Sequence, residues 1–135
     1  VDVRLVCATH RNLEEMAEHD EFRDDLMYRI NTFEIHLPPL RQRSEDIVPR
    51  ADHFRKHFAR HHGKQVKGFS PAATRRFCAL EWPGNIRQLR NAVQTMVIFD
   101  TDGLLDLDDL PVDLADALLT LDAARHRTGE AQRPA

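Results

Sequence analysis

Cysteine, glycine and long apolar runs are all scarce in this 135-residue sequence. The two cysteines, Cys7 and Cys78, stand far apart with no Cys-x-x-Cys pair, which excludes a disulfide framework and a thiolate metal site. No apolar run approaches the roughly 20 residues that span a bilayer, and no secretory signal is recognisable. We therefore expect a cytoplasmic protein without a membrane partner.

The five glycines are not arranged to hold a phosphate chain. A P-loop needs glycines that let backbone amides approach phosphate, followed by a lysine and a hydroxyl residue. Gly63-Lys64 is the only Gly-Lys pair, and no glycine lies five positions before it. The chain alone is therefore not expected to hydrolyse ATP.

Charge is divided unevenly along the chain. Residues 1–40 carry a net charge of −5 and residues 91–135 a net charge of −6, whereas residues 41–90 hold twelve Lys or Arg against four Asp or Glu. A basic segment of this kind attracts phosphate, either of a nucleotide or of nucleic acid. The same charge is also typical of a solvated helical surface, and composition alone leaves both interpretations open.

The N-terminal third has the pattern of a sheet edge. An apolar, β-branched run over residues 1–8 predicts a strand that ends at Thr9 or His10, and residues 32–37 predict a second strand ahead of a Pro-Pro pair. Two strands do not make a stable sheet by themselves. We therefore expect this third to belong to a larger α/β layer, and the chain to be a piece of a longer protein.

Beyond the prolines the apolar period becomes helical. Capping residues and apolar spacing predict helices over residues 12–19, 22–30, 44–63, 71–80, 86–97 and 112–121. The expected fold is an α/β fragment followed by an all-α subdomain, mostly helical with two strands. Asn12 and Ser70 are expected to cap helices, and Asn85 with Gln88 resembles a capping box.

Three further functions are compatible with particular residues. His53, His57 and His61 recur at steps of four, a spacing that can present imidazoles to one metal. The sequence supplies neither an HExxH motif nor a nearby Cys pair to complete such a site. The helices around residues 82–84 outline a DNA-binding helix-turn-helix, whose basic residues would be Arg75, Arg76, Arg87 and Arg90. An assembly module would instead set the acidic N-terminal third against the basic middle of a neighbouring copy.

The residues of four segments, and the order of these segments along the chain, together resemble one protein family. They are VRLVCAT at 3–9, EFRDDLMYRI at 21–30, LPPLRQRSEDI at 37–47 and WPGNIRQLRN at 82–91. This set resembles the C-terminal half of the AAA+ ATPase domain of bacterial enhancer-binding proteins, the activators of sigma-54 RNA polymerase. The resemblance covers roughly residues 1–111. The P-loop, the magnesium-binding acidic motif and the sigma-contacting loop of that family would all precede the chain.

The resemblance implies roles for five residues. Arg23 and Arg29 match the paired arginine fingers that act in trans on the nucleotide of a neighbouring subunit. Arg87 matches the sensor II arginine, which contacts nucleotide in its own subunit. Thr9 and His10 fall in the sensor I region, where the family usually has asparagine in place of His10. Residues six apart on one helix point about 120° apart, so Arg23 and Arg29 reach one phosphate only near a helix end or break.

The resemblance also implies a setting for the chain. The longer protein would use ATP and Mg²⁺ and form a ring, which is expected to be a hexamer. In the bacterial cytoplasm it would remodel the closed complex of sigma-54 RNA polymerase. It would bind DNA through a domain outside this sequence. No cofactor is expected for the fragment alone. Residues 1–43 would end the α/β subdomain, 44–111 would form the helical lid, and 112–135 would lead towards the DNA-binding domain.

Overall fold

The computed structural model describes residues 2–113. The chain divides into two compact units, Val1–Leu37 and Pro38–Ala135. Helices dominate the described residues, and two short strands accompany them, which confirms the predicted mostly helical fold with two strands. Within residues 2–113, every helix is too short or too polar to cross a lipid bilayer.

The first unit contains two short helices, α1 (Leu13–Glu18) and α2 (Asp24–Ile30). Asn12 caps α1 as predicted, because its Oδ1 accepts the amides of Glu14 and Glu15 at 3.1 and 3.3 Å. The chain then reverses, with Asp20 in a left-handed conformation at φ 56°. Residues 19–23 form the short connection between the two helices.

The segments that flank these helices differ from the prediction. Residues 2–9 and 34–39 have no regular secondary structure, although strands were expected over 1–8 and 32–37. Their apolar side chains lie in solvent, with Phe33 93% and Val6 80% exposed. A strand needs a hydrogen-bonded neighbour, and the first unit supplies none among its described residues. The two strands of the fold lie in the second unit instead.

The second unit is built on three longer helices. These are α3 (Ile47–His61), α4 (Pro71–Ala79) and α5 (Asn85–Phe99), accompanied by 3-10 turns at Leu40–Gln42, Ser44–Asp46 and Leu107–Asp109. Ser70 caps α4 as predicted, since its Oγ accepts the amide of Ala73 at 3.1 Å. The helix predicted over 112–121 lies outside the described residues from position 114 onward.

Strands β1 (Gly68–Phe69) and β2 (Leu104–Leu105) pair in parallel. The pairing sets Gly68 opposite Leu104 and continues at both ends, because Lys67 donates to Gly103 O and Ser70 donates to Leu105 O, each at 2.8 Å. This two-stranded ladder joins the segment before α4 to the segment after α5. The ladder therefore holds the two segments that flank α4 and α5 together by backbone hydrogen bonds.

The core of the second unit lies mainly between α3 and α5. Its largest fully buried side chains are Trp82, Phe77, Leu40, Ile47, Leu89, Met96, Leu105, Val93 and Val97. Leu40 belongs to this core even though it precedes the first helix of the unit. The division between Leu37 and Pro38 thus places Leu40 in the second unit, together with the core that it joins.

One charged side chain is built into this unit. Arg55 of α3 has a side chain only 10% exposed, and its Nε and Nη2 donate to Asp52 Oδ1 at 2.8 and 2.6 Å. Its Nη1 donates to the carbonyl of Val66, just ahead of β1. Lys56 lies 2.8 Å from the other oxygen of the same carboxylate. The hydrogen bond from Lys56, together with the Arg55 guanidinium, lowers the pKa of Asp52 against the opposing effect of partial burial.

We expect the substitution Asp52→Asn to weaken the acid dependence of stability. Because the folded-state pKa is lowered, the carboxylate stabilises the fold above its unfolded pKa of about 3.9, and this contribution is lost as pH falls further. The difference in free energy of unfolding between the wild type and Asp52→Asn should therefore shrink from pH 6 to pH 3 in urea titrations. Lys56→Gln, which removes one partner, should show a smaller acid loss than the wild type. A difference that stays constant with pH would contradict this assignment.

Candidate functional site

The five residues expected to form a site are distributed over both units. Thr9, His10, Arg23 and Arg29 lie in the first unit, and Arg87 lies in the second. Two elements position the arginines, the short helix α2 and the first turn of the long helix α5. The geometry within each unit shows which of these side chains are already used by the fold.

Arg23 and Arg29 lie at opposite ends of α2. Arg23 is the residue before the helix, with extended backbone at φ −75° and ψ 128°, and Arg29 is in the last turn. Arg23 therefore lies at a helix end, as joint contact of the two arginines with one phosphate would require. Arg23 forms a two-point ion pair with Asp25 at 3.1 and 2.7 Å, while its side chain stays 79% exposed. Arg29 makes no hydrogen bond or ion pair with any described residue and is exposed.

An exposed ion pair of this kind contributes at most about 1 kcal/mol, because water screens both charges and the side chains lose freedom. The guanidinium of Arg23 is therefore held near Asp25 but is not committed to it. A group with a higher negative charge, such as a phosphate chain, would compete effectively for the same planar donors.

Thr9 and His10 precede α1 and lie at its N-terminal side. The Thr9 hydroxyl oxygen accepts the Arg11 amide at 3.1 Å, and His10 lines a shallow, open depression of about 480 Å³ together with Asn12, Glu15 and other side chains of α1. Arg11 closes one side of it through an ion pair with Glu21 at 3.1 Å. Both predicted sensor residues are thus exposed on the same short segment.

Arg87 and Arg90 are one turn apart on α5 but have different surroundings. The Arg90 guanidinium carbon lies 5.2 Å from the centroid of the Phe58 ring, a cation–π contact that fastens it to α3. Arg87 is exposed in the first turn and makes no hydrogen bond or ion pair with the described residues. The N-terminus of a helix carries partial positive charge, which adds to that of Arg87. Of these two arginines, only Arg87 is free to bind a phosphate.

The turn ahead of Arg87 is tightly specified. The Trp82 indole nitrogen donates to Phe77 O at 2.8 Å, and both Trp82 and Asn85 adopt left-handed backbone conformations at φ 50°. Gly84 has no space for a side chain, since an added Cβ would lie 2.7 Å from Gln88 Cβ. This sequence of constraints fixes where α5 begins.

Asn85 does not have the capping role that we predicted. Gly84 is the N-cap of α5, and it is the Gln88 side chain that accepts the Gly84 amide, at 2.9 Å. The Asn85 side chain points elsewhere, and its Oδ1 accepts the amide of Leu40 at 2.9 Å. The local spacing predicted a capping box instead of this long-range bond, because spacing within one segment carries no information about a partner 45 residues away.

Two further basic residues were not singled out from the sequence. Lys64 Nζ donates to the carbonyls of Val97 and Asp100 at 3.0 and 3.2 Å, at the C-terminus of α5, where positive charge is favourable. In the part of the chain that the structure describes, Nε of Arg43 is a buried side-chain donor without a partner. Arg43 lies in the LPPLRQRSEDI segment and Lys64 in the Gly-Lys pair, but neither pattern predicts these contacts.

The histidines of α3 do not form a ligand cluster. His57 and His61 have nearly parallel rings with centroids 6.5 Å apart. Across residues 2–113, no group of three or more His, Cys, Asp or Glu side chains could hold a metal ion. The described residues therefore give no support to a metal site on α3.

Two family models match successive parts of the chain. Residues 41–126 match the AAA+ ATPase lid domain, and residues 1–36 match the Sigma-54 interaction domain. The two matches follow one another with only a short gap, which coincides with the Pro-Pro segment between the two structural units. They favour the resemblance found in the sequence over the DNA-binding and assembly alternatives.

Known proteins show the same relationship over most of this chain. The nitrogen fixation protein AnfA of Azotobacter vinelandii is 46% identical over 114 residues, covering 84% of this chain and 21% of that protein. The transcriptional regulatory protein ZraR of Salmonella typhimurium is 47% identical over 115 residues, covering 85% and 26% respectively. The chain thus spans about a quarter or less of the length of these relatives.

Solved structures of NtrX from Brucella abortus have a similar fold. The complex with ADP superposes with a TM-score of 0.75 at 38% identity, and the complex with ATP with a TM-score of 0.76 at 37% identity. They cover 86% and 87% of this chain, and 27% of the NtrX chain in each case. Similarity in sequence and similarity in structure therefore each extend over most of this chain.

We expect Gly84→Ala to destabilise the second unit by about 1–3 kcal/mol, since the new methyl group would force Gln88 and the turn apart. Gly68→Ala is the matched control, because an added Cβ there meets no atom within 4 Å. Its stability should be unchanged or slightly higher, as alanine restricts the unfolded chain. Urea unfolding of both variants measures the difference, and equal stabilities would contradict the steric constraint at Gly84.

Proposed function

Since the chain belongs to the AAA+ ATPase lid domain family, we propose that it is the C-terminal part of the ATPase domain of a sigma-54-dependent transcriptional activator. The single observation that carries this proposal is the order of the matches, a Sigma-54 interaction segment followed directly by a lid. The longer protein would hydrolyse ATP in a ring of subunits and use the energy to remodel closed sigma-54 RNA polymerase. DNA would be bound by a domain outside this chain.

Nucleotide is the cofactor that the proposal requires. The similar NtrX structures contain ADP or ATP, which supports a nucleotide site in the longer protein. Mg²⁺ would bind together with the triphosphate, because the metal neutralises charge that develops during phosphoryl transfer. A function in the bacterial cytoplasm follows from the proposed polymerase partner. On this proposal, residues 1–43 end the α/β subdomain, 44–111 form the lid, and 112–135 lead onward.

We assign Arg23 and Arg29 to the nucleotide of a neighbouring subunit. Both guanidinium groups are exposed at the ends of one short helix, so a second subunit can approach them without disturbing the core. A planar, permanently charged donor suits the charge that develops on a transferred phosphoryl group. Supplying that donor from the next subunit would make hydrolysis depend on assembly.

We assign Arg87 to nucleotide held in its own subunit as sensor II. Its position in the first turn of a 15-residue helix combines a full positive charge with the partial charge of the helix terminus. Thr9 and His10 would complete the site as the sensor I region. Histidine can donate or accept a hydrogen bond there, although its shape and titration differ from those of asparagine.

We expect Arg23→Ala or Arg29→Ala in the longer protein to abolish ATP hydrolysis and to leave nucleotide binding intact. Loss of an arginine finger lowers turnover by about 10³ to 10⁵-fold. Arg11→Ala is the control, because Arg11 is an exposed arginine of the same unit that is paired with Glu21. Steady-state phosphate release and ADP titration measure the two quantities. Full turnover in both finger variants would refute the assignment.

Arg87→Ala should weaken nucleotide affinity and turnover together, as expected for a residue that contacts nucleotide within its own subunit. Arg90→Ala is the matched control on the same helix, since Arg90 is directed at Phe58. Isothermal titration with ADP and an ATPase assay compare the two variants. If Arg87→Ala behaves like Arg90→Ala in both measurements, Arg87 is a surface residue without a role at the nucleotide.

A further inference from the structure

The segment that enters the second unit is tied to the beginning of α5 by one hydrogen bond. The amide of Leu40 donates to Asn85 Oδ1 at 2.9 Å, across a sequence separation of 45 residues. Leu40 is completely buried and opens the 3-10 turn Leu40–Gln42 directly after Pro39. Amides at the start of a helical turn have no partner within the turn, so Asn85 supplies the acceptor that this buried donor needs.

The direction of the Asn85 side chain is set by its own backbone. Asn85 has φ 50°, a left-handed conformation that asparagine adopts more readily than most residues, and its amide donates to Trp82 O at 2.8 Å. Trp82 is buried and Gly84 has no room for a side chain. From this constrained turn the carboxamide is directed at Leu40, whose amide it accepts. Solubility or helix capping does not account for it, because it is partly buried and Gly84 is the N-cap.

Arg87 follows Asn85 by two residues in the same first turn of α5. The bond to Leu40 thus joins the turn that carries Arg87 to residues 37–40, which we call the linker, at the point where the chain enters the second unit. A movement of one end of this bond requires a movement of the other, or the loss of a buried hydrogen bond.

We propose that Asn85 is a positioning residue, which holds Arg87 and the linker at Leu40 in one fixed arrangement so that nucleotide contact at Arg87 restrains the linker. Asn85 itself does not touch nucleotide. The proposal rests on the proposed sensor II role of Arg87 and adds to it the residue through which that contact reaches the linker.

Two substitutions separate the acceptor from the backbone conformation. Asn85→Gly keeps the left-handed conformation and removes the acceptor, whereas Asn85→Asp keeps an acceptor at the same position. In the 135-residue chain, amide hydrogen exchange of Leu40 should be roughly tenfold faster in Asn85→Gly, as expected for loss of one hydrogen bond, and near the wild-type rate in Asn85→Asp. Equal protection of the Leu40 amide in Asn85→Gly and wild type would overturn the proposal.

The second measurement tests whether Asn85 acts through Arg87. In the longer protein, Asn85→Gly should weaken ADP binding about three- to tenfold, Asn85→Asp should restore most of it, and Asn85→Gly should have no further effect in an Arg87→Ala background. Additive losses in the double variant would overturn the proposal, because Asn85 would then act independently of Arg87. Asn85→Ser, whose side chain is too short to reach Leu40, replaces Asn85→Gly if circular dichroism shows that the glycine variant is unfolded.

The two experiments fail in different ways. If Arg87→Ala alone leaves ADP affinity unchanged, the proposed sensor II role is wrong, and the coupling through Asn85 is wrong with it. If Arg87→Ala weakens binding but Asn85→Gly does not, the sensor II role stands and only the positioning role of Asn85 is wrong.

Discussion

The second unit depends on the packing of α3 against α5. Each helix buries one apolar stripe in the shared core, including Ile47, Ala51 and Phe58 on α3 and Leu89 and Val93 on α5. Burial of apolar surface is the dominant favourable term in folding, so the two stripes decide which faces of the helices remain for charged residues. Most basic residues of the middle segment consequently lie on the surface, and Arg55 is the buried exception among the described residues.

The arginines illustrate this division. Arg55 is buried, paired with Asp52 and bonded to the Val66 carbonyl, and Arg90 lies against an aromatic ring. Both guanidinium groups are thus occupied by contacts within the second unit. Arg29 and Arg87 have no partner among residues 2–113, and an exposed, unpaired guanidinium adds little to stability. The fold therefore does not explain why arginine stands at these two motif positions, and the proposed nucleotide contacts would do so.

Local chemistry predicted the parts of the fold that depend on neighbours in sequence. The caps at Asn12 and Ser70 and the helices that follow them require only a few consecutive residues, and the structure contains them. The pairing of β1 with β2 was not predicted, because each strand has two residues and its partner is far away in sequence. The expected strands over 1–8 and 32–37 are absent for a related reason. Their apolar pattern matches a buried sheet, but a strand forms only where a neighbouring strand completes its hydrogen bonds.

The candidate site follows the same distinction. Motif matching predicts roles for Arg23, Arg29 and Arg87, because a motif is read from the linear sequence, and all three side chains are exposed. The bond from Leu40 to Asn85 depends on a left-handed residue at a turn and on a buried amide in a distant segment. Neither the left-handed backbone nor the buried amide can be predicted from the spacing of residues in the sequence. Residues that belong to a motif are therefore easier to predict from sequence than contacts such as this bond, which exist only after folding.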